Sequence, residues 1–353
     1  MFLKEALRKN KWVVQTYRRT KDYFRTKGEF TRDYHFDDRS KHQKKLCMML
    51  CGYKEYLMPA VLGRLEKFLE PDIDVCIVTS GLFSEKLAET CREKGWSYLS
   101  LKRNNVSLAQ NMAIRLHPDA EYIFKLDEDI FLTEGYFEKM MRALQHAETG
   151  DYSPGVIAPL IPVNGFGYRV LLDRYGLADV YAQRFEKPIY MSWDTRKIQN
   201  DPETAKFFWG EPIQIDFSEC IPGKELNEKT IVDDDIAKNK NIEKERHKAV
   251  SIPGIDQMNR DASELPVEER PCPIRFSIGA ILFRRKFWEK IHHFPVGSGI
   301  QLGLDEEYLS KYCAAYSRPV MVSMNVVVGH LAFGMQNKVM KEYYLAHPEK
   351  FVL

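Results

Sequence analysis

No stretch of this 353-residue chain reaches the roughly 20 consecutive apolar residues that a membrane-spanning helix needs, and its N-terminus lacks the apolar core of a secretory signal. A protein held in a bilayer by its own helices is therefore not expected. Its seven cysteines (Cys47, Cys51, Cys76, Cys91, Cys220, Cys272 and Cys313) show no zinc-binding spacing, and several lie in apolar runs. They read as reduced core thiols, which points to a cytoplasmic protein. No charge of one sign dominates, since 52 Lys and Arg face 50 Asp and Glu. With 44% hydrophobic residues, a chain of this length can bury a substantial core as one elaborated domain or two lobes.

The balanced total conceals an asymmetry. Residues 1–45 hold 14 Lys and Arg against 6 Asp and Glu, which leaves 38 against 44 for the remainder. Leu3, Leu7, Asn10, Val14 and Tyr17 share one helical face, flanked by Lys4, Arg8, Lys11, Arg18 and Arg19. Such a basic amphipathic arm, taken as residues 1–43, can lie on an anionic membrane surface, where each basic residue contributes roughly 1 kcal/mol. It can equally pack on the body with its basic face in solvent. The arm carries no recognisable nucleic-acid module, so nucleic acid is not expected as a partner.

Beyond the arm, two periodicities alternate along the chain. Lys45 to Tyr53 and Ile73 to Gly81 are short apolar runs bounded by glycine, as suits strands buried on both faces of a parallel sheet. Between them Leu57, Val61, Leu62, Leu65 and Leu69 recur at helical spacing. The next helix opens at Ser84, a candidate N-cap, and stops at Gly95. A strand over Trp96–Leu101, a helix over Ser107–Leu116 and another strand come after it. This order predicts an α/β domain with a mostly parallel sheet flanked by helices, whose ligands sit at the carboxyl ends of the strands.

The last of those strands ends Tyr122-Ile123-Phe124-Lys125-Leu126-Asp127-Glu128-Asp129, placing two carboxylates one residue apart at such an end. Mg²⁺ and Mn²⁺ take oxygen ligands, and Mg²⁺ is commonly held by one or two carboxylates plus the oxygens of a bound phosphate. Asp127 and Asp129 are thus candidate ligands for a cation on a diphosphate. A charged strand-end turn with no metal role produces the same triplet.

Four segments in order carry a resemblance: Asn104-Asn105-Val106-Ser107-Leu108-Ala109-Gln110-Asn111 leading to Leu126-Asp127-Glu128-Asp129, then Ser277-Ile278-Gly279-Ala280-Ile281-Leu282-Phe283-Arg284-Arg285, Leu302-Gly303-Leu304-Asp305-Glu306-Glu307-Tyr308-Leu309, and Val328-Gly329-His330-Leu331. Over roughly Lys44 to Gly334 the chain resembles GT-A glycosyltransferases, particularly the family-two group of inverting enzymes. The resemblance implies a Rossmann-like GT-A fold and a metal-dependent inverting transfer of a sugar from a nucleoside diphosphate sugar, UDP-linked by expectation, to a glycan or glycolipid hydroxyl. It implies Asp127, Asp129 and His330 as ligands of Mn²⁺ or Mg²⁺, and Asp305 or Glu306 as the base. Thr79, Ser80, Arg103, Asn104, Asn111 and Asp127 become the expected contacts on the nucleotide side. Residues 44–150 would form the nucleotide-sugar half. Residues 151–353 would form the acceptor half, with an irregular insertion over about 164–272.

The chain departs from the family at several points. The first strand ends Leu50-Cys51-Gly52-Tyr53-Lys54 in place of Pro-Thr-Tyr-Asn, and the second ends Val78-Thr79-Ser80-Gly81 in place of Asp-Asp-Gly-Ser. The late acidic pair is Asp-Glu where Glu-Asp is usual, so position favours Glu306 as base and side-chain length Asp305. A sugar-phosphate nucleotidyltransferase remains the rival enzyme, although it would open with a glycine-rich loop and a basic residue, for which Gly52-Tyr53-Lys54 is a poor substitute. A glycan-binding scaffold is the non-catalytic rival. Asp233-Asp234-Asp235 reads as part of an exposed polar loop, and His292-His293 as a solvated helix end. The aromatic segments Asn164–Arg169, Tyr190–Asp194 and Phe207–Gly210 suit sugar stacking or the packing of an insertion.

Overall fold

The computed structural model describes residues 13, 15–16, 28–184, 202–216, 247–272, 275–297, 303–331 and 336–353. The amphipathic face of the arm, the Asp233 triplet, Cys220 and the aromatic segment 190–194 lie outside the described residues.

A nine-stranded sheet forms the centre. In chain order its elements are β1 (Tyr34–Asp37), β2 (Lys45–Leu50), α1 (Met58–Phe68), β3 (Ile73–Ser80), α2 (Glu85–Lys94), β4 (Ser97–Leu101), α3 (Val106–Leu116) and β5 (Tyr122–Asp127). The short β6 (Ile130–Phe131), α4 (Tyr136–Ala147), β7 (Val156–Leu160), α5 (Gly165–Arg174), α6 (Ala178–Arg184) and α7 (Pro202–Phe208) come next. After them lie β8 (Ile213–Asp216), β9 (His247–Val250), α8 (Ile255–Ser263), β10 (Glu269–Cys272), β11 (Ala280–Arg284), α9 (Arg285–Lys290) and α10 (Leu304–Ala315). The last elements are β12 (Val320–Val327), β13 (Gly329–His330) and α11 (Asn337–Ala346). The sheet order is β1-β4-β3-β2-β5-β11-β7-β12-β10. β2, β3, β4, β5, β7 and β12 run one way, while β1, β10 and β11 oppose them. The expected mostly parallel α/β sheet is therefore present.

Local chemistry accounts for the elements. β3 is buried at all eight positions, as an interior strand covered on both faces should be. The Ser84 side chain accepts from the Leu87 N–H at 3.3 Å and caps α2, which ends at Gly95 in the left-handed region (φ 68°). The arm boundary shifts, because residues 34–37 form β1, an antiparallel edge strand on β4, and so join the sheet. That strand was missed in the sequence because the alternation of Tyr34 and Phe36 with His35 and Asp37 spans only four residues within a basic, polar arm. The His292-His293 turn also differs from expectation. His292 is exposed, but His293 Nδ1 lies 2.8 Å from the buried Glu29 carboxylate, and its ring packs on Trp288. The ring segment Phe207, Phe208 and Trp209 is buried core, so packing is its role. Six of the seven cysteines fall among the described residues, all buried, and there no helix is long and apolar enough to cross a membrane.

One buried cation joins distant segments. Arg64 on α1, 1% exposed, donates from Nε to the Phe351 carbonyl at 2.9 Å and from Nη1 to the Leu132 carbonyl at 2.9 Å, and it grips Asp256 of α8 with both terminal nitrogens. Phe351 in turn stacks among Phe131, Trp209 and Tyr344. The C-terminus is thereby fastened behind β6. Replacement of Arg64 by Met leaves two buried carbonyls and Asp256 without their donor, so a urea midpoint should report a loss of about 3 kcal/mol. Removing residues 348–353 should act through the same contacts, and combining the two changes should therefore cost less than their sum.

Candidate functional site

The loops after β2, β3, β4 and β5 all emerge from the carboxyl ends of parallel strands. β2 lies between β3 and β5, so the chain leaves it toward β3 on one side and finds β5 on the other. A crevice opens at such a switch point. The acidic turn 127–129 lies there, facing residues 51–54.

Each acid of that turn is compensated from a different element. Asp127 Oδ1 accepts from Lys125 Nζ at 2.6 Å, and the same ammonium donates to the Ile278 carbonyl at 2.7 Å. Glu128, in the turn that follows β5, receives the backbone N–H groups of Gly52, Tyr53 and Lys54 on one oxygen, Oε2, at 2.8, 3.0 and 3.1 Å. Asp129, 4% exposed, contacts the Lys54 ammonium and lies 3.3 Å from His330 Nε2. Burial alone would raise its carboxyl, but His330 and Lys54 outweigh burial and hold it well below the usual carboxylate range. Asp127 is pushed up instead, by burial and by its neighbours Asp129 and Asp305, with Lys125 opposing.

Two glycines allow these approaches. A Cβ on Gly279 would meet Ile130 at 3.1 Å and Asp127 Oδ2 at 3.5 Å, so the glycine keeps clear the space over that oxygen. Its carbonyl accepts the Asp127 N–H at 2.8 Å, which locks the end of β5 to the start of the antiparallel β11. At Gly329 a Cβ would stand 2.5 Å from Trp209, so only glycine lets β13 press against that ring while pairing with β6. This pairing brings His330 to Asp129.

The late acidic pair arrives on the first turn of α10. Asp305 is 3% exposed and accepts from Gln110 Nε2 of α3 at 2.6 Å. Glu306, its side chain 15% exposed, is held by Arg275 Nε at 2.5 Å. Burial raises the Glu306 carboxyl above its ordinary value, reinforced by Asp305 and opposed by Arg275. The structure thus brings Asp127, Asp129, His330, Asp305 and Glu306 to one end of the sheet.

The expected nucleotide contacts divide. Ser80 Oγ donates to the Arg103 carbonyl at 3.2 Å and accepts the Asn105 N–H at 2.8 Å, while Asn104 is half-buried beside Gly81. Arg103 is exposed, with its guanidinium on the Gly297 carbonyl. These three line the strand ends. Thr79 is fully buried, its hydroxyl donating to the Leu82 carbonyl at 2.8 Å and meeting the Tyr98 hydroxyl at 3.0 Å, so it closes the 79–84 loop. Asn111 is fully buried too. Its Oδ1 accepts from Trp288 Nε1 and the Phe294 N–H, both at 3.0 Å, and its Nδ2 donates to the Phe294 carbonyl at 2.8 Å and the Glu29 carbonyl at 3.4 Å. Every hydrogen-bonding position of that amide is occupied inside the protein, which gives it a structural role. Asn111→Leu should therefore lower stability by about 2 to 4 kcal/mol through the orphaned Trp288 and Phe294 donors, measured from a denaturant midpoint.

Lys54, Lys125, Glu128, Gln110 and Arg275 were not anticipated. Lys125 left a signal, because it is the one charged residue inside an apolar strand and shares a face with Asp127 two positions on. Glu128 lies in the turn beyond β5, where no strand pattern marks it. Gln110 and Arg275 depend on contacts 195 and 31 residues apart and left none. Tyr53 joins this edge as well, 59% exposed and with its hydroxyl donating to the Ser80 carbonyl at 2.6 Å.

A divalent cation fits the chemistry of the crevice in part. Hard carboxylate oxygens are offered, and Asp127 Oδ2 accepts no protein donor among the described residues. Five carboxyl groups, Asp127, Glu128, Asp129, Asp305 and Glu306, gather here with Lys54, Lys125, Arg275 and His330. Among the described residues no group of three His, Cys, Asp or Glu is arranged to hold a metal alone. A cation here would thus rest on the aspartates and be completed by a ligand's phosphate oxygens, in the manner of Mg²⁺.

No family model matches the chain. No curated protein matches it either. Among solved structures, the mannosyltransferase PcManGT from Pyrobaculum calidifontis, in complex with GDP-Man and Mn²⁺, shares 13% identity over 92% of this chain and 68% of its own, with a TM-score of 0.43. The CMP:2-keto-3-deoxy-manno-octonic acid synthetase complexed with CTP shares 9% over 87% and 99%, with a TM-score of 0.39. S. aureus TarS shares 15% over 33% of this chain and 21% of its own, with a TM-score of 0.28. At identities of 9 to 15% and TM-scores below 0.5, these likenesses carry no argument about activity.

Proposed function

We propose that this protein is a metal-dependent, inverting GT-A glycosyltransferase of the family-two type, moving a sugar from a nucleoside diphosphate donor to a glycan or glycolipid hydroxyl. The observation that carries the reading is the convergence, at one switch-point crevice, of a compensated acidic turn on β5 with a second acidic pair on α10. A cation bound on Asp127 and Asp129 would stabilise the charge developing on the diphosphate leaving group. Lys125 orients Asp127, and His330, the third expected ligand, has its Nε2 3.3 Å from Asp129 Oδ2, beside the carboxylate that would take the cation. Ser80, Arg103, Asn104 and the exposed Tyr53 ring stand where the nucleoside would lie.

The acidic pair supports a division of labour. Glu306 is the better base, because it retains some exposure and its carboxyl is raised toward the working pH, where a base is most effective. Asp305 is buried against Gln110 and serves to position the turn. A nucleotidyltransferase reading has one observation in its favour, the loop of N–H groups and a lysine after β2. It leaves Glu306 and Arg275 without a task.

Glu306→Gln should lower turnover by roughly 10² to 10⁴ with donor affinity nearly unchanged. Because the folded state disfavours the ionised Glu306, stability attached to its protonated form is lost as pH rises through the raised value, and at neutral pH the Gln variant should melt no lower than the parent. The parent's rate should fall in acid along a limb lying above the ordinary glutamate range. A Gln variant of parental rate would remove Glu306 from the chemistry. Asp127→Ala should abolish Mn²⁺-dependent binding of the nucleoside diphosphate, read by thermal shift. Retained metal-dependent binding would remove Asp127 from the cation site.

A further inference from the structure

Three consecutive N–H groups converging on Glu128 Oε2 fix the backbone of residues 52–54 beside the acidic turn. Lys54 is the last of the three, and its ammonium lands on Asp129 Oδ2, the oxygen that also meets His330 Nε2 at 3.3 Å. Its side chain is 21% exposed where that of Asp129 is 6% exposed, so the lysine is the more solvent-accessible member of the pair. A divalent cation binding Asp129 would stand at about 2.1 Å from an oxygen, within a few ångströms of the ammonium. Two cations so close repel strongly at a partly buried site.

We propose that Lys54 is a built-in counter-cation that occupies Asp129 while the site is free, gives up that carboxylate to the divalent cation when donor binds, and then holds a phosphate oxygen of the donor. The inference rests on the glycosyltransferase reading and adds a donor-binding residue to it. Each half has a physical cause. An unpaired carboxylate as buried as Asp129 is costly, so the free protein needs a cation there. A lysine ammonium is a compact point charge suited to phosphate. Once the metal neutralises Asp129, the donor's phosphates are anions within reach of the displaced ammonium, while Glu128 Oε2 is already taken by three backbone donors.

Lys54 should therefore act with opposite signs on the two ligands. It competes with the metal when the metal binds alone, and it attracts the nucleoside diphosphate when that binds alone. The two ligands together relieve the competition and bind cooperatively. Calorimetric titration of the full chain with Mn²⁺ alone, with UDP or GDP in EDTA, and with the nucleotide in Mn²⁺ tests this without reference to turnover. In Lys54→Met, Mn²⁺ alone should bind about fivefold or more tighter, the nucleotide in EDTA about fivefold or more weaker, and the cooperativity between them should shrink. Lys54→Arg should restore both affinities toward those of the parent, since it keeps the charge. Unchanged affinities in Lys54→Met would overturn the inference. So would a joint weakening of both ligands, which is the mark of a collapsed loop. A parent protein that binds neither UDP nor GDP with Mn²⁺ overturns the functional reading itself, a result distinct from a parent that binds and a variant that matches it.

Discussion

Three consecutive acids at the end of a buried strand cannot share one counter-charge, and much of the site derives from how they are separated. Glu128 and Asp129 lie in the turn just past β5 and meet partners from different segments. Glu128 is then met by the amides after β2, Asp127 by a lysine on its own strand, and Asp129 by Lys54 and by His330 from β13. Each acid so recruits a different element, and the turn becomes the point where β2, β5, β11 and β13 are tied together. Glu128 shows how much of this is geometry. Its carboxyl is raised by burial even with three N–H donors opposing, so its position is set by the loop it organises and not by any preference of the charge for that place.

The same logic joins the two halves of the chain through α3. Asn105 caps the helix by accepting the Leu108 N–H at 2.9 Å. Gln110 reaches Asp305, while Asn111 clamps Phe294 and Trp288. Arg103 and Asn105 both donate to the Gly297 carbonyl. Polar side chains on α3 and just before it thus determine where the segment around Phe294 and Gly297 and α10 can sit. Gln110 Oε1 is buried with no partner among the described residues, so the contact to Asp305 comes with an unmet acceptor. Such a cost is tolerable where the geometry of a buried carboxylate has to be held.

Legibility in the sequence tracked the range of the interaction. β2, β3, β5 and the helices between them were readable because an interior parallel strand is a short apolar run and its helix carries a 3.6-residue stripe. Ser84 and Gly95 were readable because caps are local chemistry. β1 was not, since its alternation of Tyr34 and Phe36 with His35 and Asp37 lasts only four residues inside a basic arm. The carboxylates were legible as a motif at a strand end. Their compensation was only half legible: Lys125 shows in the strand, whereas Gln110 and Arg275 are defined by tertiary contacts alone. Asn111 illustrates the opposite error. A polar residue on the helix after a strand suggests a ligand contact, but nothing local reveals that Trp288 and Phe294 consume its amide.

Access separates the two candidate bases more firmly than sequence could. Adjacent carboxylates on the first turn of a helix both gain from its dipole, so position alone leaves them equivalent. Their partners do not. Gln110 is a neutral, fully buried donor that holds Asp305 in place away from solvent. Arg275 is a charged residue at the rim, with its own side chain 36% exposed, and Glu306 beside it keeps 15% exposure, the access that the proposed role as base requires. Because burial raises the Glu306 carboxyl while Arg275 restrains the rise, the group is tuned between two opposing influences, and changing either one shifts its readiness to accept a proton. Weakening the Arg275 contact would raise the carboxyl further and move the acid limb of the rate upward, whereas opening the site to water would lower it. Those opposite directions distinguish a base tuned by its partner from one tuned by its depth.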